Sequence, residues 1–335
     1  MGFWQRFRGQ LEESAAVKVA VIGDGPERDR LVRAYGSRED VELVAVGSSS
    51  AAEDVIKVPG LAAAELVVPP EERAGLASSF ISAGVMTSLD VPIKDEEAVG
   101  LSALGRSYGV PVRYRLLPLY YPPYREVKRI LNEDWLGLPI SLKLVARRGK
   151  GTKYPERIDP IAWIREKELG FLALAQWIMG PVGKVFSRLM PCSQEMPVSQ
   201  AITWKYRAPQ QYGSFLLDFC PGLHVRTFTE PVHRALELTC AGGVIMATRG
   251  EGQMLRTPAV CVRGKSTATA LEMVPDEWEE VYAGLAAETV NVVNQKTRQI
   301  TGSEKVVRDA LSLLNSAMKS HENNNESEVE ISSWQ

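Results

Sequence analysis

The stretch Val17-Lys18-Val19-Ala20-Val21-Ile22-Gly23-Asp24-Gly25-Pro26-Glu27-Arg28 reads as a strand, a tight turn and the start of a helix. Its first six residues are apolar and β-prone except for Lys18. Gly23 and Gly25 follow at once, and a helix-compatible run extends from Glu27 to Tyr35. This is the opening of a dinucleotide-binding βαβ unit. The glycines let the backbone turn and approach a pyrophosphate, and the helix N-terminus supplies N–H donors and a partial positive charge. Two residues depart from the motif. Arg28 stands at the third glycine position, where close helix–strand packing wants a small residue, and Pro26 removes an N–H that would face a phosphate. The pattern therefore speaks strongly for the fold and weakly for tight cofactor binding. A glycine turn that binds nothing is the competing reading.

Outward from this turn, Val41 to Gly47 reads as a second strand that runs into Ser48, Ser49 and Ser50. An acid at this tip takes the ribose hydroxyls in NAD-binding units. Small hydroxyl residues instead leave room for a 2′-phosphate, which favours NADP over NAD if either binds. The same run also reads as a flexible turn. The next buried strand, Glu65–Val68, follows after only a short connection, with Val55–Val58 as a remnant strand, so a trimmed sheet is expected. Helices are expected over Glu71–Ala83 and Asp95–Tyr108, and strands over Val85–Leu89 and Val110–Arg115. This alternation argues for a parallel sheet up to about residue 120. Beyond it come a helix (Pro122–Trp135), a long strand (Pro139–Arg148), an apolar helix (Ile161–Met179) and a series of strands without intervening helices. Such a series suggests a large antiparallel or mixed sheet. Closing helices are expected over Asp276–Lys296 and Ser303–Ser320, with an edge strand at Val329–Ile331.

With 335 residues, 45% hydrophobic and 24% charged, the chain has the composition of an ordinary globular protein of about two domains. A net charge of −2 with no basic stripe argues against nucleic acid as a partner. Cys192, Cys220, Cys240 and Cys261 are far apart and lack metal-ligand spacing. They read as buried thiols in a reducing, cytoplasmic compartment, with no metal site. No run spans a bilayer, and no secretory signal opens the chain. Residues 1–16 form an amphipathic leader with Phe3, Trp4, Phe7 and Leu11 at helical spacing.

Several local patterns, in this order, resemble the Gfo/Idh/MocA family of oxidoreductases from about residue 17 to residue 331. They are Gly23-x-Gly25, Val68-Pro69-Pro70-Glu71-Glu72-Arg73-Ala74, Asp90-Val91-Pro92, Arg115-Leu116-Leu117-Pro118, Leu238-Thr-Cys-Ala-Gly-Gly243 and Asp309-Ala-Leu311. The resemblance implies an N-terminal Rossmann-type parallel sheet over 17–120. It also implies a C-terminal α/β domain over 121–331 with a large, mostly antiparallel open sheet, the last helix or strand being a candidate to return to the first domain. By the same resemblance Gly23, Gly25, Arg28, Ser48, Ser49, Pro69, Asp90 and Pro92 are the candidate cofactor-binding residues. The open sheet is the expected homo-oligomer interface.

The departures from the family pattern bear on activity. Val91 stands where the family places a lysine beside the nicotinamide. The run Glu166-Lys-Glu-Leu-Gly-Phe-Leu-Ala-Leu-Ala-Gln-Trp177 puts Gly170 and Ala173 where the family carries His and Asp. Hydride transfer from an alcohol needs a base for the hydroxyl proton, and these groups normally supply it. Lys94 reads as a solvated first-turn residue, and His224, His233 and His321 as structural or surface histidines. Arg115, Tyr120 and Tyr121 are the remaining catalytic candidates, with Tyr124 beside them; an amphipathic wall is the plainer reading of the tyrosines. Arg147, Arg148, Lys150, Lys153 and Arg157 form a basic segment suited to an acidic or sugar-like ligand, or simply a solvated loop. Three functions follow as expectations: a non-catalytic, ligand-binding homologue or partner of an active paralogue; an atypical NAD(P)-dependent reductase; and a scaffold subunit.

Overall fold

The computed structural model describes residues 16–91, 95–149, 160–190, 199–220, 222–223, 232–249, 258–264, 268–271 and 273–330. The leader through residue 15 lies outside the described residues, as do Pro92, Lys94, Lys150, Lys153, Arg157, Cys192 and His224. The chain divides into two compact units, Met1–Arg115 with Tyr282–Ile300, and Leu116–Val281 with Thr301–Gln335.

The first unit is built on five parallel strands: β1 (Val17–Gly23), β2 (Val41–Gly47), β3 (Leu61–Val67), β4 (Met86–Leu89) and β5 (Val112–Tyr114). Their order is β2-β1-β3-β4-β5. Val19 to Ile22 have no exposed surface, as expected of a parallel strand covered on both faces. The covering helices include α1 (Pro26–Gly36), α3 (Pro70–Ser82) and α4 (Asp95–Tyr108). The sheet is trimmed, as the sequence suggests, but Val55–Val58 is not a remnant strand. It overlaps α2 (Ala52–Ile56), where Glu53 and Asp54 complement the helix dipole and Ala52 and Val55 are buried. Among the described residues no strand lies beyond β2, and the chain returns from that strand across β1 to β3. The direction of winding therefore reverses between β1 and β3, the place where doubly wound sheets bind their ligands.

The second unit is a nine-stranded sheet of order β13-β12-β11-β10-β6-β9-β8-β7-β14. Its strands are β6 (Pro139–Arg148), β7 (Val182–Met190), β8 (Ser199–Tyr206), β9 (Tyr212–Phe219), β10 (Val232–Cys240), β11 (Gly243–Arg249), β12 (Val260–Gly264), β13 (Ala268–Leu271) and β14 (Ser327–Glu328). Among its described strands, only β6 and β9 pair in parallel. One face is apolar by simple alternation: Leu142, Leu144 and Ala146 in β6 lie beside Phe215 and Leu217 in β9, all nearly without exposure. Helices α5 (Pro122–Asn132), α6 (Pro160–Met179) and α8 (Glu304–Asn323) pack on the sheet, and α7 (Trp278–Val293) runs from this unit into the first. The short, partly polar β12 and β13 carry too little periodicity to be read from sequence. Cys240 is buried, but Cys220 is exposed, so not every thiol is a core residue as expected. No described helix is long and apolar enough to cross a membrane.

Gly23 fixes the contact at the β1/β3 switch. Its φ is +125°, and a Cβ there would lie 1.7 Å from the Val67 carbonyl oxygen. Gly23→Ala is expected to destabilise the protein by at least about 3 kcal/mol, because both backbone strain and a clash with main chain must be relieved. A melting temperature within error of the parent's would contradict this packing.

Candidate functional site

The β1–α1 turn at the switch point has the backbone of a phosphate-binding loop. Gly25 is the N-cap at φ +96°, which only glycine adopts readily, and Pro26 opens the helix. Glu27 and Asp29 lie in the first turn of α1. The guanidinium of Arg28 pairs with Asp29 at 2.7 Å and with Asp24 at 3.4 Å, and so turns back onto its own loop. At the tip of β2, the Ser48 hydroxyl is 2.8 Å from that of Ser50, and Ser49 starts a 3-10 turn. Pro69 caps α3, whose first residue is Pro70.

Behind this loop, the carboxyl ends of the strands hold a buried ionic cluster. Glu65 stands in the middle of β3 at 1% exposure. It accepts hydrogen bonds from Arg113, from Arg115 at 3.0 Å and from the Tyr35 hydroxyl at 2.5 Å. Arg113 also donates to the Leu285 carbonyl at 2.9 Å and pairs with Glu288 at 3.5 Å. Tyr35 lies 2.7 Å from Thr289, so two side chains of the sheet domain reach the first-unit part of α7. The Arg115 side chain has no exposed surface. It donates to the Leu66 carbonyl at 2.5 Å, to the Ser88 carbonyl at 3.2 Å and to Asp90 at 2.8 Å. Glu27 reaches over from α1 to within 3.3 Å of Arg115 Nε.

The electrostatics follow from these neighbours. Burial alone would push the Glu65 carboxyl up, but Arg113 and Arg115 outweigh it and hold it below the usual range. Glu27 goes the other way. Burial, and then the charge of Asp90, push its carboxyl up to about 8, against the opposing pull of Arg115. Burial and Glu65 also raise Tyr35, which keeps its proton and donates it.

The second unit holds another such cluster. Glu168 of α6 has no exposed surface and accepts from Arg148 at 2.6 Å and Arg234 at 3.2 Å. Arg148, expected in a solvated or ligand-binding basic segment, is instead 4% exposed in this cluster, because the inward face of β6 carries it under α6. Arg147, on the opposite face, is half-exposed. Burial opposes the Glu168 charge, but the two arginines hold its pKa down. One turn on, Gly170 packs against the turn Leu117–Tyr120: a Cβ there would lie 2.8 Å from Pro118 Cδ. Tyr120, Tyr121 and Tyr124 are all buried. Tyr121 donates to the Asp276 carbonyl at 3.3 Å, and Arg125 lies over the Tyr120 ring. The cavity lined by Leu117, Pro118, Tyr121, Tyr124, Arg234 and Trp278 measures about 10 Å³, the space of a single water. His321 accepts from the Leu189 N–H in a structural contact. Among the described residues, no group of His, Cys, Asp and Glu is arranged to hold a metal. Glu65, Arg113 and Glu168 are absent from the sequence-based candidates. For Glu65 and Arg113 the signal is a charge inside a largely apolar strand; Glu168 closes the charged run Arg165–Glu168 and carries no such signal.

No protein-family model matches the chain, and no curated protein matches it in sequence. Solved structures match it over nearly its whole length. A protein from Desulfitobacterium hafniense assigned as an NADPH-dependent oxidoreductase superposes with a TM-score of 0.78 at 12% identity, covering 94% of this chain and 98% of that one. An oxidoreductase from Agrobacterium radiobacter, solved with NAD+, L-tartaric acid and magnesium, gives 0.76 at 14%, covering 94% and 99%. A protein from Sinorhizobium meliloti assigned as a myo-inositol dehydrogenase gives 0.74 at 14%, covering 94% and 100%. The expected fold class is borne out: the chain shares the fold of these solved structures, a parallel five-stranded sheet in one unit and a large, mostly antiparallel sheet in the other.

The dinucleotide such folds carry can be tested against the residues present. Gly23 and Gly25 suit it. The rest of the donor set does not: the helix terminus that would receive a diphosphate carries Glu27, Asp29 and the adjacent Asp24, and Pro26 lacks an N–H.

A carboxyl whose pKa rises on folding holds its proton more tightly in the native state. Glu27 therefore favours folding below its unfolded value of 4.5, and that contribution is lost as pH climbs towards about 8. Glu27→Gln is expected to flatten the decline in melting temperature over this range; a variant that declines as steeply as the parent would contradict the assignment. Glu168→Gln leaves two buried guanidiniums with one neutral acceptor. By the cost of breaking a buried ion pair, it is expected to lose about 3–5 kcal/mol in denaturant unfolding. A loss below about 1 kcal/mol would show the cluster to be weakly coupled to the fold.

Proposed function

We propose that the chain is a diverged Gfo/Idh/MocA-like protein that does not perform the hydride and proton transfer of dehydrogenases with this fold. The observation that carries this reading is the packing of Gly170 on Pro118. An imidazole there would have to displace the Pro118 ring, because a Cβ alone would stand 2.8 Å from Pro118 Cδ. Ala173 is buried and carries no titratable group, and Val91 has no proton to give or take. Loss of a general acid–base costs typically ~10²–10⁴-fold, and here each expected member is missing. Arg115, Tyr120 and Tyr121 are poor substitutes, since all three are buried and Arg115 is committed to carboxylates and carbonyls. Where any dinucleotide binds, Ser48 and Ser49 favour NADP.

The pure chain, supplied with NADPH or NADH and a panel of polyols, sugars and small carbonyl compounds, is expected to show no turnover. Cofactor oxidation or reduction above the rate of the uncatalysed control would overturn the reading.

A structural role through self-association is the complementary part of this proposal. The face of the nine-stranded sheet opposite the buried one carries a cross-strand row of Ala201, Leu216, Val145 and Ala235. Such a row is suited to sheet-on-sheet packing with a second copy or a related active chain. Light scattering is expected to give a multiple of 36.9 kDa, and Leu216→Lys is expected to lower that mass. A monomeric parent would exclude the self-association.

A further inference from the structure

The first turn of α1 is tied to the ends of the strands by a side chain more than by its backbone. Gly25, its N-cap, has φ +96°, and a Cβ there would meet nothing within 4 Å. The main-chain bonds of the turn are long. Asp24 N–H reaches the Val67 carbonyl at 3.3 Å, and Asp29 N–H reaches the Gly25 carbonyl at 3.3 Å. The Arg28 guanidinium folds back onto Asp24 and Asp29 and so adds no link to the sheet. Glu27 supplies one. Its carboxyl shares a hydrogen bond with Asp90, just beyond β4, and stands 3.3 Å from Arg115, just beyond β5. Two carboxyls can share a hydrogen bond only when one of them carries a proton.

The surroundings require that proton. Arg115 is already bonded to Glu65 and Asp90, so an ionised Glu27 would meet two like charges and one cation that is already paired. Tyr282 of α7, with Arg30 over its ring, is a further titratable group that senses Glu27. We propose that the proton Glu27 holds against Asp90 is a latch, which keeps the β1–α1 turn on the ends of β4 and β5 and on its loss lets the turn swing out about Gly25. The sign follows from the direction in which Glu27 is shifted. Burial, and then Asp90, raise its carboxyl from 4.5 to about 8 in the closed turn. The closed turn is therefore favoured most below about 4.5, and that preference fades as pH climbs towards about 8. A glutamine at 27 keeps a neutral donor for Asp90 at every pH, whereas an alanine offers none. The latch does not depend on whether the turn receives a dinucleotide.

The test is hydrogen exchange of the full chain, read by mass spectrometry at about pH 5.5 and about pH 8.5, with each rate divided by the intrinsic rate at that pH. It follows the peptide Asp24–Leu31, with helix α4 of the same unit as the reference. In the parent, protection of Asp24–Leu31 is expected to fall by at least about tenfold more than that of α4, the effect of one pKa unit within the available window. Glu27→Gln is expected to keep its protection at both pH values, and Glu27→Ala to be weakly protected at both. A flat parent profile, a Gln variant that falls as the parent does, an Ala variant protected like the Gln variant, or a parallel loss in α4 would overturn the inference. Should Glu27→Ala fail to fold, the parent and the isosteric Gln variant decide between them.

Discussion

A single carboxylate, Glu65, sets the terms for the first unit. An ionised carboxylate at the centre of a parallel sheet is prohibitively costly unless it is paired and hydrogen-bonded on every side. Arg113, Arg115 and Tyr35 meet that requirement, and each brings further obligations. Arg113 must find the Leu285 carbonyl and Glu288, so the first-unit part of α7 is held in register with β5. Arg115 must find Asp90 and the carbonyls of Leu66 and Ser88, which joins the ends of β3, β4 and β5. What looks like a ligand crevice is, in its lower layer, a polar core. Such cores specify one arrangement because half-satisfied alternatives are costly.

The architecture was largely legible in the sequence. Val17–Gly25 gave strand and turn because a buried parallel strand reads as an unbroken apolar run and Gly23 has a backbone reason to be glycine. The trimmed connection could be inferred from length alone, but its content could not. Ala52–Ile56 is too short for helical periodicity to outweigh the β-branched residues at its end, so Val55–Val58 resembled a strand. The site was less legible. Arg115 and Asp90 were identified, yet their shared partner was not. Glu65 sits in Leu61–Val67, and Arg113 and Arg115 alternate in Val110–Arg115. Strand alternation puts the two arginines on one face, but which strand they meet depends on the sheet order, and no local pattern encodes that order.

The second unit applies the same physics to a different end. Glu168 holds Arg148 and Arg234 from the two central strands β6 and β10 against α6, and the apolar length of that helix covers the sheet. The basic segment that suggested an acidic ligand is thus divided by the two-residue period of the strand. Arg148 belongs to the interior and Arg147 to the outer face. Neighbouring charges in sequence need not share an environment, and in a strand they rarely do.

The contact between Gly170 and Pro118 also couples two positions of the chain. In a helix packed this closely, a side chain at 170 is accommodated only if the ring of Pro118 moves or shrinks. A smaller residue at 118 would in turn release the turn that precedes α5, since proline fixes φ there. The two positions form a ratchet. Each change alone lowers stability, and only the pair reopens the space. A larger residue at 170 therefore has to be paired with a change at 118, whereas surface positions without such a partner can vary one at a time.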